Sequence, residues 1–411
     1  MHATTTLNTD LLTPLGAYLR VRGMGRASFL LESVERGRLG RSSWMGAGSR
    51  LVDLTEAEEL DLPVVGYVAY DHAAALEPTV PLPEAGPDLP VSRLVVCDTL
   101  VRFDHGSGTA EVLAGDPDEL AGRLAAGIPW QKETRGVAGP LSRSPDRSGY
   151  EEMVRAVKRH IVAGDVFQCV PSQRAERPTS ASPLDVYRAL RRVNPSPYLF
   201  LLDLDGLALV GSSPERLVAC EDGRASLCPI AGTTDPTEGD VERLLTSEKD
   251  RAEHVMLVDL GRNDLSRVCR AGTVHVARSM EVERFSHVSH LVSEVVGELR
   301  DDVSPFDLLR ACFPAGTVSG APKIRAMQLI SELEGYRRGP YGGAVLYALP
   351  GGTMDACIAL RTIVMHDGVA HLQAGAGVVA DSDPTAEHEE CLRKLAALEQ
   401  AIDLAEAEAA P

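Results

Sequence analysis

The spacing of apolar residues changes character near residue 148. Before it, short apolar runs such as SFLLESV, PVVGYVAYD and RLVVCDTLVRFD alternate with Gly and Pro, which is typical of strands and tight turns. Residues 127–147 are polar, interrupted by Pro and Gly, and show no clear period, which is typical of a linker. We therefore predict a β-rich N-terminal lobe over 1–130, a linker over 131–147 and a larger domain over 148–411.

The larger domain shows both helical and strand patterns. A helix should begin at Ser148 and end at Gly164, because Met153, Val157 and Ile161 have helical spacing and a Glu lies three residues after the Ser. Further helices are predicted at 183–193, 241–258, 305–312, 322–335 and 384–408. Strands are predicted near 199–204, 207–211, 216–220, 343–349, 357–365 and 369–374. Adjacent strands without strict βαβ alternation predict an α+β fold.

Composition and charge narrow the class of protein. The 411 residues are 44% hydrophobic and 24% charged, as in a globular protein. The net charge of −18 argues against nucleic-acid and membrane-surface binding, which rely on clustered Lys and Arg. The N-terminal residues show no signal-peptide pattern, and apolar stretches are too short to span a membrane. The eight cysteines are spread singly, so we expect reduced, buried thiols and a cytoplasmic location.

Two pairs of carboxylates lie on predicted helices. Asp250 and Glu253 are three residues apart, as are Glu387 and Glu390, so each pair points one way from consecutive turns. Lys394 continues the second face. Oxygen ligands without clustered His or Cys suit a hard cation such as Mg²⁺. Spacing alone also fits ordinary solvated helix faces, and it leaves that alternative open.

Glycine-rich turns provide the strongest pattern. PIAGT, FPAGTVSGAPK, RRGPYGGAV and QAGAGVVADSDP could each bring backbone N–H groups close to an anion, or could each be a structural turn. The same part of the chain also contains GDVFQ, NPSPYLF, GSSPER, KDRAEHVMLVDLGRND, HVSH, IALRT and a closing E-x-x-E-x-x-x-K pattern. With all these motifs in this order, residues 150–405 resemble the chorismate-utilising enzymes, most closely the anthranilate synthase large subunits. SFLLESV and GRLGRSSWMG extend the resemblance, more weakly, towards the N-terminus.

The resemblance implies a fold and an activity. The fold would be two packed antiparallel β-sheets flanked by helices in two lobes, with 148–411 as the chorismate-binding catalytic domain. The activity would be a Mg²⁺-dependent lyase reaction that converts chorismate and ammonia to anthranilate and pyruvate through aminodeoxyisochorismate.

It also implies which residues would hold the ligands. Mg²⁺ would be bound by both carboxylate pairs, Asp250, Glu253, Glu387 and Glu390. Arg361 and Tyr341 would hold the enolpyruvyl carboxylate, since a fork-shaped guanidinium suits a planar carboxylate. The ring carboxylate would be received by Lys394 and by the backbone of Gly375, Ala376 and Gly377.

The departing C4 hydroxyl needs an acid. By the same resemblance, Glu215 would be that acid and His290 would lie beside the hydroxyl, although a lone His is more often a satisfied, partly buried residue. Thr233 and Thr317 would form hydrogen bonds near the substrate. Lys323, grouped with the catalytic residues, would order the APK turn.

Two positions indicate the nucleophile. Relatives that add water have a Lys base at the position of Gln168. A glutamine side chain cannot take a proton from water. We place Gln168 at the substrate site. Aminodeoxychorismate synthases often have a nucleophilic Lys where this chain has Ala231, so direct attack by ammonia is expected. An enzyme that stops at aminodeoxyisochorismate, an aminodeoxychorismate synthase and a silent chorismate- or tryptophan-binding subunit remain alternatives.

A partner and an effector complete the expectations. No glutaminase pattern is recognisable, so ammonia should come from a separate glutamine amidotransferase subunit or from solution. In the family that the chain resembles, tryptophan binds between the segments that correspond to LLES and NPSPY. The resemblance therefore implies a tryptophan site formed by Leu31, Glu32, Ser33, Pro195, Ser196, Pro197, Tyr198 and Tyr347. Leu346 replaces a Gly beside that site, and we expect its bulk to weaken or abolish inhibition by tryptophan, which would suit a secondary pathway.

Overall fold

The structure is a computed structural model that describes residues 5–9, 12–33, 42–128, 139–234, 239–284 and 289–407.

The N-terminal segment alternates strands with short helices. In chain order its elements are β1 (Thr5–Asn8), α1 (Pro14–Val21), β2 (Ala27–Glu32), β3 (Ser42–Gly48), β4 (Arg50–Val52), α2 (Leu54–Glu59), β5 (Val64–Val68), α3 (Ala73–Leu76), β6 (Ser92–Val96), β7 (Thr99–Asp104), β8 (Thr109–Ala114) and α4 (Pro117–Ala125).

The C-terminal segment contains the longer helices. Its first elements are β9 (Ser142–Ser144), α5 (Arg147–Ala163), β10 (Gln168–Cys169), β11 (Ser172–Pro178), α6 (Pro183–Val193), β12 (Tyr198–Leu204), β13 (Leu207–Ser213), β14 (Arg216–Glu221), β15 (Arg224–Leu227), β16 (Ile230–Thr234), α7 (Asp240–Thr246) and α8 (Glu248–Ser266). They are followed by β17 (His275–Arg284), β18 (Ser289–Glu298), α9 (Pro305–Cys312), α10 (Gly316–Ser319), β19 (Gly320–Ala321), α11 (Lys323–Glu334), β20 (Ala344–Leu349), β21 (Thr353–Ile358), β22 (Thr362–His366), β23 (Val369–Gly375) and α12 (Pro384–Ala407).

Within the described residues the strands form two large antiparallel sheets. The first has the order β1-β8-β7-β3-β2-β12-β13-β22-β23-β11-β9, and the second has the order β16-β18-β15-β14-β21-β20-β5-β6-β4, with β17 paired to β18. The short strands β10 and β19 form a separate ladder. This mixture of helices and antiparallel sheets confirms the predicted α+β class.

The two sheets pack face to face, and helices cover their outer faces. Side chains such as Phe29 and Leu202 from the first sheet meet Tyr67 and Val345 from the second in one buried cluster. Helices α1, α4, α6 and α12 cover the first sheet. Helices α2, α8, α9 and α10 cover the second. Because strand residues alternate between faces, each sheet contributes to two hydrophobic clusters.

The predicted lobe boundary does not separate two sheets. Strand β2 pairs with β12 and β5 pairs with β20, so both segments contribute strands to both sheets. Residues 131–138 of the predicted linker lie outside the described residues. Within its remainder, β9 pairs with β11. The boundary near residue 130 therefore divides the sequence but not the sheets.

Most predicted elements agree with the structure, and three differ. Helix α5 is capped by Asp146, whose side chain accepts from the backbone N–H of Gly149, and so it begins before Ser148. The helix expected over 241–258 is two helices, α7 and α8, and the second continues to Ser266. The strand expected over 357–365 is divided into β21 and β22, and Arg361 between them has φ of 46°.

Two further expectations can be compared with the structure. All eight cysteines are free and buried, as predicted. In the part of the chain that the structure describes, every helix is too short or too polar to cross a membrane.

Candidate active site

A carboxyl group with an altered proton affinity lies where β13 turns into β14. Glu215 accepts a hydrogen bond from the Thr317 hydroxyl, with 3.0 Å between Oγ1 and Oε1. Burial raises the pKa of Glu215 to about 7, although the Thr317 hydrogen bond and the positive charge of Lys394 oppose that rise. Near neutral pH this carboxyl can therefore hold a proton and release it, as a general acid must.

Lys394 connects this carboxyl to a glycine-rich turn. It lies on α12, and its ammonium group donates to the carbonyl of Gly375 over 2.8 Å and pairs with Glu390 over 2.7 Å. The same charge acts on Glu215. The structure thus brings together the end of β23, helix α12 and the β13–β14 turn.

Gln168 also lies against the glycine-rich turn after β23, next to Gly377. Its side chain is buried, and Nε2 donates to Glu253 on α8 over 3.0 Å. A Cβ atom at Gly377 would lie only 2.8 Å from that nitrogen, so glycine at this position leaves room for the amide. The amide oxygen of Gln168 is buried, and among the described residues none donates to it.

The predicted metal ligands come from α8 and α12, as expected, but only part of the set can be examined. The side chain of Asp250 lies outside the described residues. Glu253 accepts from Gln168, and Glu390 pairs with Lys394. Glu387 lies close enough to Cys391 for its charge to help raise the pKa of that thiol, after the larger effect of burial. Among the side chains that the structure describes, no three acidic, His or Cys groups converge on a metal position.

The donor chemistry nevertheless fits a hard cation. Glu253, Glu387 and Glu390 offer only carboxylate oxygens, and Gln168 and Lys394 beside them donate to two of the three. If the carboxylates of α8 and α12 converge, a divalent ion between them would offset the repulsion of their like charges. The convergence of all four ligands stays a prediction.

His290 and Arg361 form a second group of predicted site residues. His290 lies on β18 opposite Thr233 of β16, whose side chain lies outside the described residues. Burial, with a smaller effect of the positive charge of Arg361, lowers the pKa of His290 to about 4, although a backbone hydrogen bond with Gly232 opposes the change. Arg361 donates to the side-chain oxygen of Asn194 over 3.5 Å. His290 is therefore a neutral imidazole near pH 7.

The turn after β23 carries the remaining predicted contacts. Tyr341 is buried, and a Cβ atom at Gly375 would lie 3.1 Å from its hydroxyl oxygen, so the two are neighbours. The backbone N–H of Ala376 donates to the carbonyl of Pro171 over 3.4 Å. That group is therefore already used within the fold, which makes Ala376 the weakest of the three predicted backbone contacts.

Lys323 has a structural partner. Its ammonium group pairs with Asp264 over 2.8 Å and donates to the carbonyl of Cys312 over 3.3 Å, with both side chains largely buried. These contacts tie the start of α11 to α8 and α9, which supports the expectation that Lys323 orders the APK turn. Both partners, Asp264 and Cys312, line the same cavity as Glu215 and Thr317. The grouping of Lys323 with the catalytic residues stays a prediction.

The residues predicted for the tryptophan site also lie together. Leu31 and Glu32 end β2, which pairs with β12 just after the loop that contains Pro195, Ser196 and Pro197. Glu32 accepts from Tyr187 over 2.5 Å and pairs with Arg191 over 3.1 Å. The hydroxyl of Ser33 is buried, and no described residue contacts it by a hydrogen bond.

Two residues from the second sheet, Asp355 on β21 and Tyr347 on β20, lie near this region. Tyr198 donates to Asp355, which is the cross-strand neighbour of Tyr347. Tyr347 packs on Trp44, with ring centroids 4.6 Å apart, and Trp44 lies directly opposite Leu31 in the register of β2 and β3. An indole of the chain itself thus lies between two residues that were predicted to line the tryptophan site.

Leu346 does not crowd this site, which corrects the sequence-based expectation. Its side chain belongs to the hydrophobic cluster under α9 and α10, whereas Tyr347 belongs to the cluster between the sheets. Neighbouring residues on a strand point to opposite faces. The bulk of Leu346 is therefore directed away from Tyr347.

Sequence analysis missed several partners of the site residues. Asn194 contacts Arg361, Asp264 holds Lys323, and Glu334 pairs with Arg338. The last pair could have been noticed, because an acidic and a basic residue four positions apart can interact at the end of a helix. The other two join positions that are distant in sequence and leave no local signal.

Comparisons with known proteins agree with this arrangement. The model of the family described as chorismate binding enzyme matches residues 30–400. Anthranilate synthase component 1 from Thermus thermophilus is 42% identical, with 98% of each chain covered. Probable anthranilate synthase component 1 from Schizosaccharomyces pombe is also 42% identical, covering 96% of this chain and 91% of that protein.

Solved structures extend the likeness to the fold. Anthranilate synthase component I from Streptococcus pneumoniae superposes with a TM-score of 0.76 and 31% identity, covering 97% of this chain and 93% of the other. The menaquinone-specific isochorismate synthase from Escherichia coli, at 21% identity and a TM-score of 0.77 over 97% and 95% of the two chains, shares the fold. The chain therefore belongs to the chorismate-binding enzyme family.

Proposed function

We propose that this protein converts chorismate and ammonia to anthranilate, pyruvate and water in a Mg²⁺-dependent lyase reaction. The observation that carries the proposal is Glu215, a carboxyl with a pKa of about 7 that accepts from Thr317 and lies near Lys394. It occurs in a chain whose full-length relatives at 42% identity are named anthranilate synthase component 1.

In the first half-reaction, Glu215 supplies the proton that the poor leaving group needs. The nitrogen of ammonia bonds to C2, the ring double bonds shift, and the C4–O bond breaks as the hydroxyl leaves as water. The added nitrogen then loses a proton, and aminodeoxyisochorismate results. His290 is neutral in this pH range and serves as a hydrogen-bonding group beside the hydroxyl, not as a second acid.

The second half-reaction removes pyruvate. The proton on C2 is removed, the bond between ring carbon C3 and the enolpyruvyl oxygen breaks, and the ring becomes aromatic. The released enolpyruvate takes up one proton at its methylene carbon and becomes pyruvate. Cationic and hydroxyl groups would hold the two carboxylates during both steps: Arg361 and Tyr341 at the enolpyruvyl end, and Lys394 with the backbone of Gly375 and Gly377 at the ring end. A net charge of −18 makes such local cations necessary for an anionic substrate.

Asp250, Glu253, Glu387 and Glu390 would hold Mg²⁺. When bound, the ion would neutralise the ring carboxylate and draw negative charge from the ring. Gln168 would keep Glu253 in position through its 3.0 Å hydrogen bond.

Ammonia is favoured over water as the nucleophile. Gln168 cannot remove a proton from water, whereas ammonia needs no such base, and the buried amide oxygen of Gln168 could accept one of its N–H groups. Ala231 on β16 offers no amine for a covalent intermediate. Relatives named component 1 point to a second component, and we propose a glutamine amidotransferase that supplies ammonia to this chain in the cytoplasm.

An effector role for tryptophan is a separate part of the proposal. The residues predicted for its site lie together, but Trp44 already packs on Tyr347 within that region. We expect free tryptophan to bind weakly, because its indole would compete with the side chain already in place.

The proposal is tested by incubating the purified chain with chorismate, MgCl₂ and ammonium, followed by fluorescence and mass detection of products. Anthranilate and pyruvate in equal amounts support it. Aminodeoxyisochorismate without pyruvate would indicate an enzyme that stops at the intermediate, and aminodeoxychorismate would indicate the 4-amino activity. Unchanged chorismate would favour a silent binding subunit.

A further inference from the structure

A buried guanidinium lies directly behind the candidate site. Arg338 follows the end of α11 and is 4% exposed. It forms a forked pair with Glu334, the last residue of that helix, with 2.9 Å between Nε and Oε2 and 2.5 Å between Nη2 and Oε1. Two of its three remaining N–H groups are also used, since Nη1 donates to the carbonyl of Val318 over 2.8 Å and Nη2 to that of Val170 over 2.7 Å.

The carboxylate of this pair has further partners of its own. Oε1 of Glu334 accepts from both the backbone N–H and the hydroxyl of Ser172, over 2.8 and 2.7 Å. The Ser172 hydroxyl in turn accepts from Gln373 over 2.7 Å. Two charged side chains therefore connect α11 to the start of β11, to the residue that follows β10 and to α10.

Each fastened segment carries a residue of the candidate site. Val170 is two positions after Gln168, and Val318 directly follows Thr317. Ser172 is the cross-strand neighbour of Gly375.

Arg338 also lies near the ring of Tyr341, with 5.5 Å between Cζ and the ring centroid, and nearer to Tyr70, at 4.5 Å. It reaches the site residues through backbone carbonyls and a ring face, and it is not itself a ligand in the proposed reaction.

Stability alone is a poor reason for this arrangement. Taking two charges out of water is costly, and well-packed apolar residues often replace a buried pair with no loss of stability. Apolar side chains, however, cannot hydrogen-bond to backbone carbonyls. The planar guanidinium of Arg338 holds two carbonyls and one carboxylate at fixed distances.

We propose that Glu334 and Arg338 are positioning residues that hold Gln168, Thr317, Tyr341 and Gly375 in register around the substrate. This inference deepens the proposed function and rests on it. Loss of the fork should let these four residues move relative to one another while the two sheets stay folded.

The test uses substitutions at this pair and at a matched pair on the same helix. Arg338→Lys keeps the charge and loses the fork, and Glu334→Gln keeps the shape. Because either single change may leave a buried charge unpaired, the neutral double variant Glu334→Leu/Arg338→Met is included. The control is the pair of Arg325 and Glu332, also on α11 and 3.9 Å apart, which is much less buried than Glu334 and Arg338. It is changed to Arg325→Lys and Glu332→Gln.

For each variant at the Glu334–Arg338 pair, we expect folded protein to show a lower kcat and a higher KM for chorismate. Together these changes should lower kcat/KM by about 10- to 100-fold, since small misplacements of reacting groups have effects of this size. The control variants should stay within about twofold, as expected for partly exposed pairs. A pair that only stabilises the fold would lower Tm while leaving kcat and KM of the folded fraction unchanged, and that result would overturn the inference.

Hydrogen exchange separates this inference from the proposed function. Backbone amides of 168–172, 317–320, 341–343 and 375–378 should exchange faster in the Arg338→Lys and neutral double variants than in the parent protein and the controls. Unchanged exchange in these segments contradicts the positioning role, whether or not the parent protein turns over chorismate. Faster exchange with no turnover by the parent protein would instead reject only the proposed function.

Discussion

Thr317 donates its hydroxyl hydrogen to Glu215 across 3.0 Å, although the two residues lie 102 positions apart in the sequence. One comes from the short helix α10 and the other from the turn between β13 and β14. The contact fixes one oxygen of the only carboxyl that we assign as an acid.

Replacement of Glu215 by Gln should abolish most activity. The amide cannot deliver a proton to the C4 hydroxyl, so kcat should fall by about 100- to 10,000-fold, the usual range for a general acid. KM for chorismate should change little. Steady-state kinetics provide the measurement, with Glu221→Gln, an exposed position on the same strand β14, as the control. A kcat within a few-fold of the parent value would rule out Glu215 as the acid.

The pH profile should follow the same carboxyl. Glu215 acts in its protonated form, so kcat/KM should decline as the pH rises through about 7, the pKa that burial gives this group. The hydrogen bond from Thr317 lowers that pKa, and its loss in Thr317→Val should move the alkaline limb upward by up to about one pH unit. A limb that moves downward, or does not move, would show that another group controls it.

Mg²⁺ dependence should be lost with the carboxylates of α8 and α12. Glu253→Gln and Glu390→Gln should each abolish the dependence of turnover on Mg²⁺. Chelation of the metal by EDTA should abolish turnover by the parent protein. Glu390 is partly exposed, so its loss should change the free energy of unfolding by no more than about 0.5 kcal/mol. Glu389→Gln, exposed on the same helix, is the matched control. Retained Mg²⁺-dependent turnover in both ligand variants would reject the site.

Tryptophan should have little effect on the parent protein. The Trp44 ring lies 4.6 Å from that of Tyr347, and an added tryptophan would need the same space. Millimolar tryptophan should therefore leave the initial rate unchanged, whereas Trp44→Leu, which frees the space, should become sensitive. Inhibition of the parent protein by micromolar tryptophan would contradict this account.

Local signals were enough to predict some elements. Helices α6 and α9 have the predicted bounds because Ser182 and Ser304 cap them and a Pro occupies the first turn of each. Helix α8 continues past the predicted end and includes Gly261, where a Cβ atom would lie 2.5 Å from a methyl of Leu227. The glycine there allows close packing and does not end the helix. This packing involves a strand distant in sequence and cannot be recognised locally.

The site residues could likewise be predicted only where the sequence carries a motif, and not where their position depends on tertiary packing. The resemblance supplied Glu215, Lys394 and Gln168. In the structure the charge of Lys394 acts on Glu215, and Lys394 and Gln168 lie against Gly375 and Gly377 of one glycine-rich turn. The face that Leu346 occupies depends on strand register, and the sequence offered no reliable way to assign it. The pairing of Lys323 with Asp264 likewise depends on how α8 packs against α11.

The most direct measurement of the central claim is the product formed from chorismate, Mg²⁺ and ammonium by the purified chain. The account predicts anthranilate and pyruvate in a one-to-one ratio, with formation that requires both Mg²⁺ and Glu215. Isochorismate as the product, or chorismate recovered intact with the folded protein, would contradict it.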